Sequence, residues 1–345
     1  MKKLLLSFLA CLAFTATAQA QFYFYTDLGT VGHYTYYSAT GINNKGQVVG
    51  TIDEPEGRPV AAIYSGGTVS VAPSPGPSHS TWGNAINDSG TIVGLCDRTG
   101  HPLGNVMHAF YSTSGGSVDL DSNFTRNSEA GAINESGYVV GTLPGESFVG
   151  NISGWIMPLG LIAGNNFFAV DLNNSIVIAG NGPWGGMTYD AWSGKVRYMG
   201  YDLGFNWTNR VAAINDAGVV AGKVGSQGFT DANGVVTYFG WGIDEVHGMN
   251  SSADVVGTTT AGHAFVYLKS SGQFIDLNTV IVASVSSQWT LISANGINDK
   301  GMICGQARRL ATMADGPGYG MYVYRAYKLS LFRFIPLPLS SISTP

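Results

Sequence analysis

The residues best placed to act chemically as a group are seven asparagines. Asn43, Asn87, Asn134, Asn173, Asn215, Asn250 and Asn298 each follow an apolar residue and open a short polar phrase. A ring of seven amides would offer donors and acceptors to a sugar or a cation. Local backbone bonding already accounts for each of them, because Asn bonds the backbone two residues on and stabilises a tight turn. None is followed by the alternating acidic residues and closing Glu of a calcium loop. The asparagines therefore read as structural, and no metal or cofactor is expected.

Other candidates are scattered. His33, His79, His101, His108, His247 and His263 show no pairing at metal-ligand spacing. There is no Gly-x-Ser-x-Gly elbow, phosphate loop or zinc helix. Asp119, Asp121 and Asp276 lie in a repeated strand-end motif. Asp244 and Glu245 stand outside it, beside Trp241 and His247, and form the one acidic pair suited to a polysaccharide hydrolase or lyase. More telling are aromatics within ten residues before a repeated Asn: Tyr36 and Tyr37, Trp82, Phe167 and Phe168, Trp207, Trp241 and Trp289. Aromatic faces near Asn, Ser and Thr suit carbohydrate rings or a protein surface. Tyr37, Trp82, Phe168, Trp207, Trp241, His247 and Trp289 are thus the candidate ligand-binding residues; sealing gaps between structural units is the competing role.

The elements that must position these residues follow from the phrase itself. Ile42-Asn43-Asn44-Lys45-Gly46 runs on to Val48-Val49-Gly50, and Ile297-Asn298-Asp299-Lys300-Gly301 runs on to Gly305. Asn-Asp-x-Gly between β-branched residues is a hairpin turn whose Gly takes the left-handed conformation. Two units depart, with Ile176 and Ala253 in the inner glycine's place, and the turn at Ile176 is expected to be locally different. The asparagines at 43, 87, 134, 173, 215, 250 and 298 are 44, 47, 39, 42, 35 and 48 residues apart. A period averaging about 42 belongs to propellers and solenoids.

A second strand pair follows in most units, as in His108-Ala109-Phe110-Tyr111 with Ser117-Val118-Asp119-Leu120, and His263-Ala264-Phe265 with Phe274-Ile275-Asp276-Leu277. Looser versions are Ala61-Ala62-Ile63, Gly154-Trp155-Ile156, Ala191-Trp192, Gly228-Phe229 and Arg325-Ala326-Tyr327. Four short strands per unit make a blade, so the expected fold is all-β, a seven-bladed β-propeller of four-stranded antiparallel blades. Phe22 to Gly29 and Leu331 to Pro338 both read as a last strand, so one terminus closes the ring.

The chain resembles the bacterial extracellular repeat proteins named for their His-Ala-Phe motif, the HAF family. The motif stands in full at His108-Ala109-Phe110 and His263-Ala264-Phe265, and the hairpin phrase recurs through nearly the whole chain. The resemblance implies a secreted propeller without an assigned activity, and carries no catalytic residue. Some members end in a sorting segment; here the chain ends in a Ser/Thr/Pro tail after Pro338, so the resemblance does not extend to surface attachment.

Composition agrees. Glycine is abundant at 48 residues, charged residues are 11% and aromatics 12%, a profile of strands and turns rather than helices. A net charge of −5 with no basic stripe argues against nucleic acid. Lys2 and Lys3, the apolar run Leu4–Phe14 and Ala18-Gln19-Ala20 form a signal peptide cleaved after Ala20. Residues 1–20 are thus the leader, 21–338 one propeller domain and 339–345 a short tail. An acylated Cys11 is the weaker reading of the leader. The apolar run is too short to span a bilayer, and the mature protein is expected to be secreted or periplasmic, not membrane-spanning. Cys96 and Cys304 sit either side of the first blade, too far apart for a disulfide, and read as buried free thiols. The leading function is a non-catalytic binding scaffold for carbohydrate or an envelope or extracellular protein. The alternatives are the hydrolase or lyase, and a structural surface-assembly protein.

Overall fold

A computed structural model describes residues 23–31, 34–55, 57–76, 80–98, 106–122, 126–203, 208–312 and 322–331. The described strands form seven antiparallel sheets, six of four strands and one of five, the fifth strand being the two-residue Thr30–Val31. The seven-bladed propeller is as expected. Among the described residues, helix is confined to a 3-10 turn, Leu277–Thr279, and two single-turn segments, Met199–Asp202 and Ala283–Ser286.

Each blade begins with the strand that leads into a repeated Asn: Tyr34–Ile42, Thr81–Ile86, Glu129–Ile133, Phe168–Leu172, Arg210–Ile214, Ile243–Met249 and Thr290–Ile297. These first strands touch one another consecutively around a closed circle, so they are innermost. The apolar core is correspondingly divided into layers, each shared by two neighbouring blades. Val93, Ala109, Val139 and Phe148 join blades 2 and 3, for example, while Val256, Val266, Leu291 and Ile303 join blades 6 and 7. Cys96 and Cys304 belong to the layers on either side of blade 1 and are free, as expected. Burial pushes both thiols up to about 12, which keeps them protonated and inert.

The seven asparagines do more than close turns. Asn134 Oδ1 accepts the N–H groups of Ser136 and Tyr138, at 3.0 and 2.9 Å, which is the local bonding the sequence implies. Its Nδ2 donates to the carbonyl of Asn173 in the next blade. The same donation runs from Asn43 to Asn87, Asn87 to Asn134, Asn173 to Asn215, Asn215 to Asn250 and Asn250 to Asn298. Asn298 completes the circle by donating to Asn43 at 2.8 Å. All seven residues are buried.

Two expectations are corrected at this level. The turns at Ile176 and Ala253 are not different from the rest. Both residues take the left-handed φ, +58° and +61°, beside +71° to +86° at Gly46, Gly90, Gly137, Gly218 and Gly301. The ring bonds at Asn173 and Asn250 hold the turn, and Ile176 is packed in the layer between blades 3 and 4, so burial offsets the strain. The third strands of blades 3 and 4 were expected at Trp155 and Trp192. They are Glu146–Asn151 and Gly185–Asp190. Trp155 lies on the outermost strand and Trp192 in a turn, both exposed.

The reason lies in how the third strand packs. Phe110, Phe148, Phe265 and Tyr327 each pair with the glycine that ends a hairpin phrase: Gly94, Gly141, Gly257 and Gly305. A Cβ on that glycine would come within 3.2 Å of that aromatic side chain and about 2 Å of a carbonyl on the first strand. The last residue of His-Ala-Phe is thus the ring that covers the last glycine of the phrase, and Phe148 fills that place where Trp155 cannot. The histidine reaches the strand-end Asp instead, His108 Nδ1 to Asp119 at 2.9 Å and His263 Nδ1 to Asp276 at 2.7 Å.

The N-terminal strand Tyr23–Asp27 is the outer strand of blade 7, paired with Tyr322–Leu331 from Tyr23↔Leu331 to Asp27↔Tyr327. Asp27 reproduces the strand-end turn, accepting from Gly29 N–H at 2.7 Å as Asp119 accepts from Asp121 at 2.9 Å. Leu331 ends the third strand, and the rest of the competing segment lies outside the described residues.

Three outcomes follow from these contacts. Asn134→Ala leaves buried N–H groups unbonded and should cost about 1–3 kcal/mol in denaturant unfolding. Asn134→Asp keeps the acceptor but sets a carboxylate against the Asn173 carbonyl, so its deficit should be larger at about pH 7 than at pH 4; equal deficits would rule out the donor role. Gly301→Val adds backbone strain of about 1–3 kcal/mol and a contact at 2.5 Å with Leu331, whereas a Cβ at Gly218 meets nothing. Gly301→Val should therefore melt below Gly218→Val. Finally, Asp171 in blade 4 accepts the N–H of Ile214 in blade 5 at 2.8 Å, and burial pushes its carboxyl up to about 7. The folded form holds the proton more tightly than the unfolded chain, so stability should fall as pH rises from about 4 to 7. Asp171→Asn should flatten that slope in melts taken across the range.

Candidate functional site

The disc has two unlike faces. The asparagine turns occupy one, and the first strands begin at the other. On the turn face, the residue after each ring Asn forms an outer crown: Asn44, Asp88, Glu135, Asn174, Asp216, Ser251 and Asp299, around an axial opening of about 200 Å3. Six of its side chains accept backbone N–H groups of the preceding blade. Asn44 N–H donates to Asp88 at 2.6 Å, Glu135 N–H to Asn174 at 2.9 Å, Asn174 N–H to Asp216 at 2.8 Å and Ser251 N–H to Asp299 at 2.8 Å. Burial, then the neighbouring carboxylates, raise Glu135, while bonds from Ser251 and Asn44 hold Asp299 below its ordinary value despite burial. Among the described residues no group of three or more His, Cys, Asp or Glu has the arrangement of a metal site. The crown is a polar seam between blades.

The entry face is built by register. Five residues before each ring Asn stand Ser38, Trp82, Glu129, Phe168, Arg210, Glu245 and Ser293. They pair with equivalent residues of the second strands: Thr51, Leu95, Thr142, Asn181, Lys223, Thr258 and Gln306. The carbonyl of each from Trp82 onward lies against the closing glycine of its own hairpin, so close that a Cβ there would meet it at 1.9–2.6 Å. Five residues of strand place them roughly 16 Å from the turns. Every member is exposed or half-buried. One step nearer the turns, the equivalent residues Ala39, Gly83, Ala130, Ala169, Val211, Val246 and Ala294 are small and buried.

The structure sorts the sequence candidates accordingly. Trp82, half-buried, and Phe168, exposed, share this circle in blades 2 and 4. Phe167, beside Phe168, is buried in the layer between blades 3 and 4. His247 is exposed on the blade 6 inner strand, where each first strand has a bulge; Thr40, Asn84 and Asn295 hold the equivalent place. Those three donate to backbone carbonyls of the next blade, whereas His247 Nε2 meets Thr258 Oγ1 at 3.1 Å. Desolvation lowers its pKa, against the raising influence of Glu245 and Asp244. Trp241 ends the outer strand of blade 5 and is 73% exposed. Trp289 is half-buried on the core of blades 6 and 7, with Arg309 over its ring at 5.1 Å. The side chain of Tyr37 and the whole of Trp207 lie outside the described residues.

Glu129 accepts from Asn84 Nδ2 at 2.9 Å, and Glu245 is paired with Lys223 at 2.9 Å. Lys223 also donates to the carbonyl of Asp244. The circle thus carries aromatic, acidic, aromatic, basic and acidic groups in successive blades. Glu129 and Arg210 did not emerge from the sequence as candidates, because they are neither aromatic nor near a histidine. Counting five back from each Asn would have found them.

No family model matches the chain, and no curated protein matches it. Solved structures do. Virginiamycin B lyase from Staphylococcus aureus is 13% identical, with 90% of this chain and 100% of that one covered at a TM-score of 0.55. Two extracellular domains assigned to hybrid two component systems of B. thetaiotaomicron are each 10% identical, at TM-scores of 0.51 and 0.50. They cover 88% and 94% of this chain, which spans only 40% and 41% of theirs. At such identities the likeness is one of fold, and it places the chain among β-propellers.

Proposed function

We propose that the protein is an exported, non-catalytic binding scaffold whose entry face recognises a glycan or an envelope or extracellular protein. One observation carries this reading. At one register position, fixed by the same glycine contact from blade 2 to blade 7, the side chains are Ser38, Trp82, Glu129, Phe168, Arg210, Glu245 and Ser293, while the positions that build the blades stay uniform. Structural demand explains the uniform positions. It does not explain a tryptophan, two glutamates, a phenylalanine and an arginine at equivalent exposed places, whereas recognition of an irregular ligand does. Rigid frames commonly carry function where chain exposure permits variation.

Trp82 and Phe168 supply faces for stacking against a sugar ring or an apolar side chain. Glu129, Arg210 and Glu245 supply directional polar contacts. Trp241 and His247 border the same face from blades 5 and 6, and we place Tyr37, Trp207 and Trp289 with them as secondary contacts. The leader ending at Ala20 and the resemblance to the HAF family support export. Among the described residues no helix is long and apolar enough to cross a membrane.

The test pairs two measurements. Trp82→Ala and Phe168→Ala should each weaken binding to the best ligand from a panel of glycans and purified envelope proteins by about 1–3 kcal/mol. Their melting should change by less than the roughly 3–5 kcal/mol of a buried aromatic. If no panel ligand binds wild type and both variants melt much earlier, the aromatics are packing and the reading fails. Turnover of a polysaccharide by wild type, abolished in Glu245→Gln, would replace it with the hydrolase. Export is checked separately by the mass of the recovered protein, which should begin at Gln21.

A further inference from the structure

Each first strand skips one residue in its pairing with the second strand, three before the ring Asn, and does so in all seven blades. A bulge of this kind re-aims the side chain that it leaves out of register. The neighbour on the entry side, four before the Asn, is small and buried. The bulged residues are nonetheless reached by solvent, Gly131 and His247 being exposed and the other five half-buried. Since the first strands are innermost, these residues line the mouth of the axial channel, two residues deeper than the circle of seven.

They divide the mouth into two arcs. Blades 6, 7, 1 and 2 contribute His247, Asn295, Thr40 and Asn84, whereas blades 3, 4 and 5 contribute Gly131, Val170 and Ala212, which bring no polar side-chain atom. The blades themselves orient the polar arc. Asn295 Nδ2 donates to the Ala39 carbonyl at 2.7 Å, and Thr40 Oγ1 to the Gly83 carbonyl at 2.7 Å. Asn84 Nδ2 donates to the Ala130 carbonyl and to Glu129, both at 2.9 Å. Carbonyls and carboxylates only accept, so neither amide can be turned round. Asn295 Oδ1, Asn84 Oδ1 and the lone pairs of Thr40 Oγ1 are left without a partner among the described residues. Three fixed acceptors thus stand in consecutive blades.

We propose that the axial mouth seats one neutral sugar residue at the end of a glycan, its hydroxyls donating to Asn295, Thr40 and Asn84 and its C–H face turned to Val170 and Phe168. Fixed acceptors select a ligand rich in donors, and a pyranose sets several hydroxyls around a ring with an apolar face. Their orientation is settled before binding, so little freedom is lost when the ligand arrives. Charge does not favour an ion. The circle of seven and its second-strand partners set Glu129 and Glu245 against Arg210 and Lys223. A lysine or arginine of a protein partner would find Glu245 already paired with Lys223 and Glu129 bonded to Asn84. This inference rests on the entry-face reading and narrows it to a glycan held end-on.

Calorimetry on the full mature chain tests this with maltotriose, galactotriose and mannotriose, each beside its permethylated form. At least one free trimer should bind, and its permethylated form about tenfold or more weakly, because every hydroxyl donor is gone. Gly131→Trp should weaken the same trimer by a similar factor, since it fills the mouth from the apolar arc without touching a polar bond. Its melting should stay near that of wild type: Gly131 has no left-handed φ, and a Cβ there would meet only the Val140 carbonyl at 3.8 Å. No binding of any trimer at about 10 mM, a weak ligand by any standard, would overturn the proposal. So would equal affinity of a permethylated trimer, or undiminished binding by Gly131→Trp. An envelope protein whose binding is lost in Trp82→Ala, with no trimer bound, would sink this inference and leave the entry-face reading intact. The comparison of free and permethylated trimers on wild type decides the matter even if Gly131→Trp does not fold.

Discussion

Every blade is joined to the next by one amide that works in two directions. The Oδ1 of each repeated Asn caps its own turn, and its Nδ2 reaches the backbone carbonyl of the following Asn. Aspartate has the acceptor and lacks the donor; glutamine has both on a stem one carbon too long for the local bond. A buried ring of this kind is sensitive to any missing member, since an unpaired amide in low dielectric is costly. Its closure from Asn298 to Asn43 fixes the number and spacing of the inner strands. The outer strands and connections are left free to vary, which is how steps of 35 and 48 residues fit one disc.

The ring sets the height of each inner strand, and the closing glycine passes that register outward. Because Gly94 or Gly257 has no Cβ, the carbonyl of Trp82 or Glu245 can settle against it, and Phe110 or Phe265 can cover it from the third strand. The hairpin phrase and the His-Ala-Phe motif are therefore two halves of one contact, seen from neighbouring strands. One consequence is functional. Side chains five residues before the ring Asn are held at a common level whatever their chemistry, so their identity is free to answer to a ligand.

The fold was legible because its determinants are local and repeated. Asn-x-x-Gly at a period near 42 could mean little else, and His108 and His263 do hold equivalent places, each bonded to its strand-end Asp. Reading failed where a turn was judged by its own residue alone. Ile176 looks unable to adopt the left-handed conformation, yet the Asn173 bonds and burial of its side chain impose it. It failed again where aromatic identity outweighed register, so that Trp155 and Trp192 displaced Phe148 and Met187 from the third strands. The inter-blade half of the asparagine's role, and the circle of Glu129 and Arg210, depend on contacts between units that are neighbours only once the ring has closed.

Closure also explains why the last blade is the one that departs from pattern. Its outer strand comes from the N-terminus, and Asp27, set against Tyr327 as Asp119 is set against Phe110, draws on the positive charge of Arg325 where blades 2 and 6 use a histidine. Held at both ends, blade 7 can lengthen its second and third strands, to eight and ten residues, without disturbing a neighbour. The two faces then differ in kind. Carboxylates of the crown gather around the axis on the turn face, already engaged by backbone N–H groups, whereas the entry face mixes aromatic, acidic and basic side chains. The same asymmetry that leaves the turn face to hold the ring together leaves the entry face as the surface on which recognition can be built.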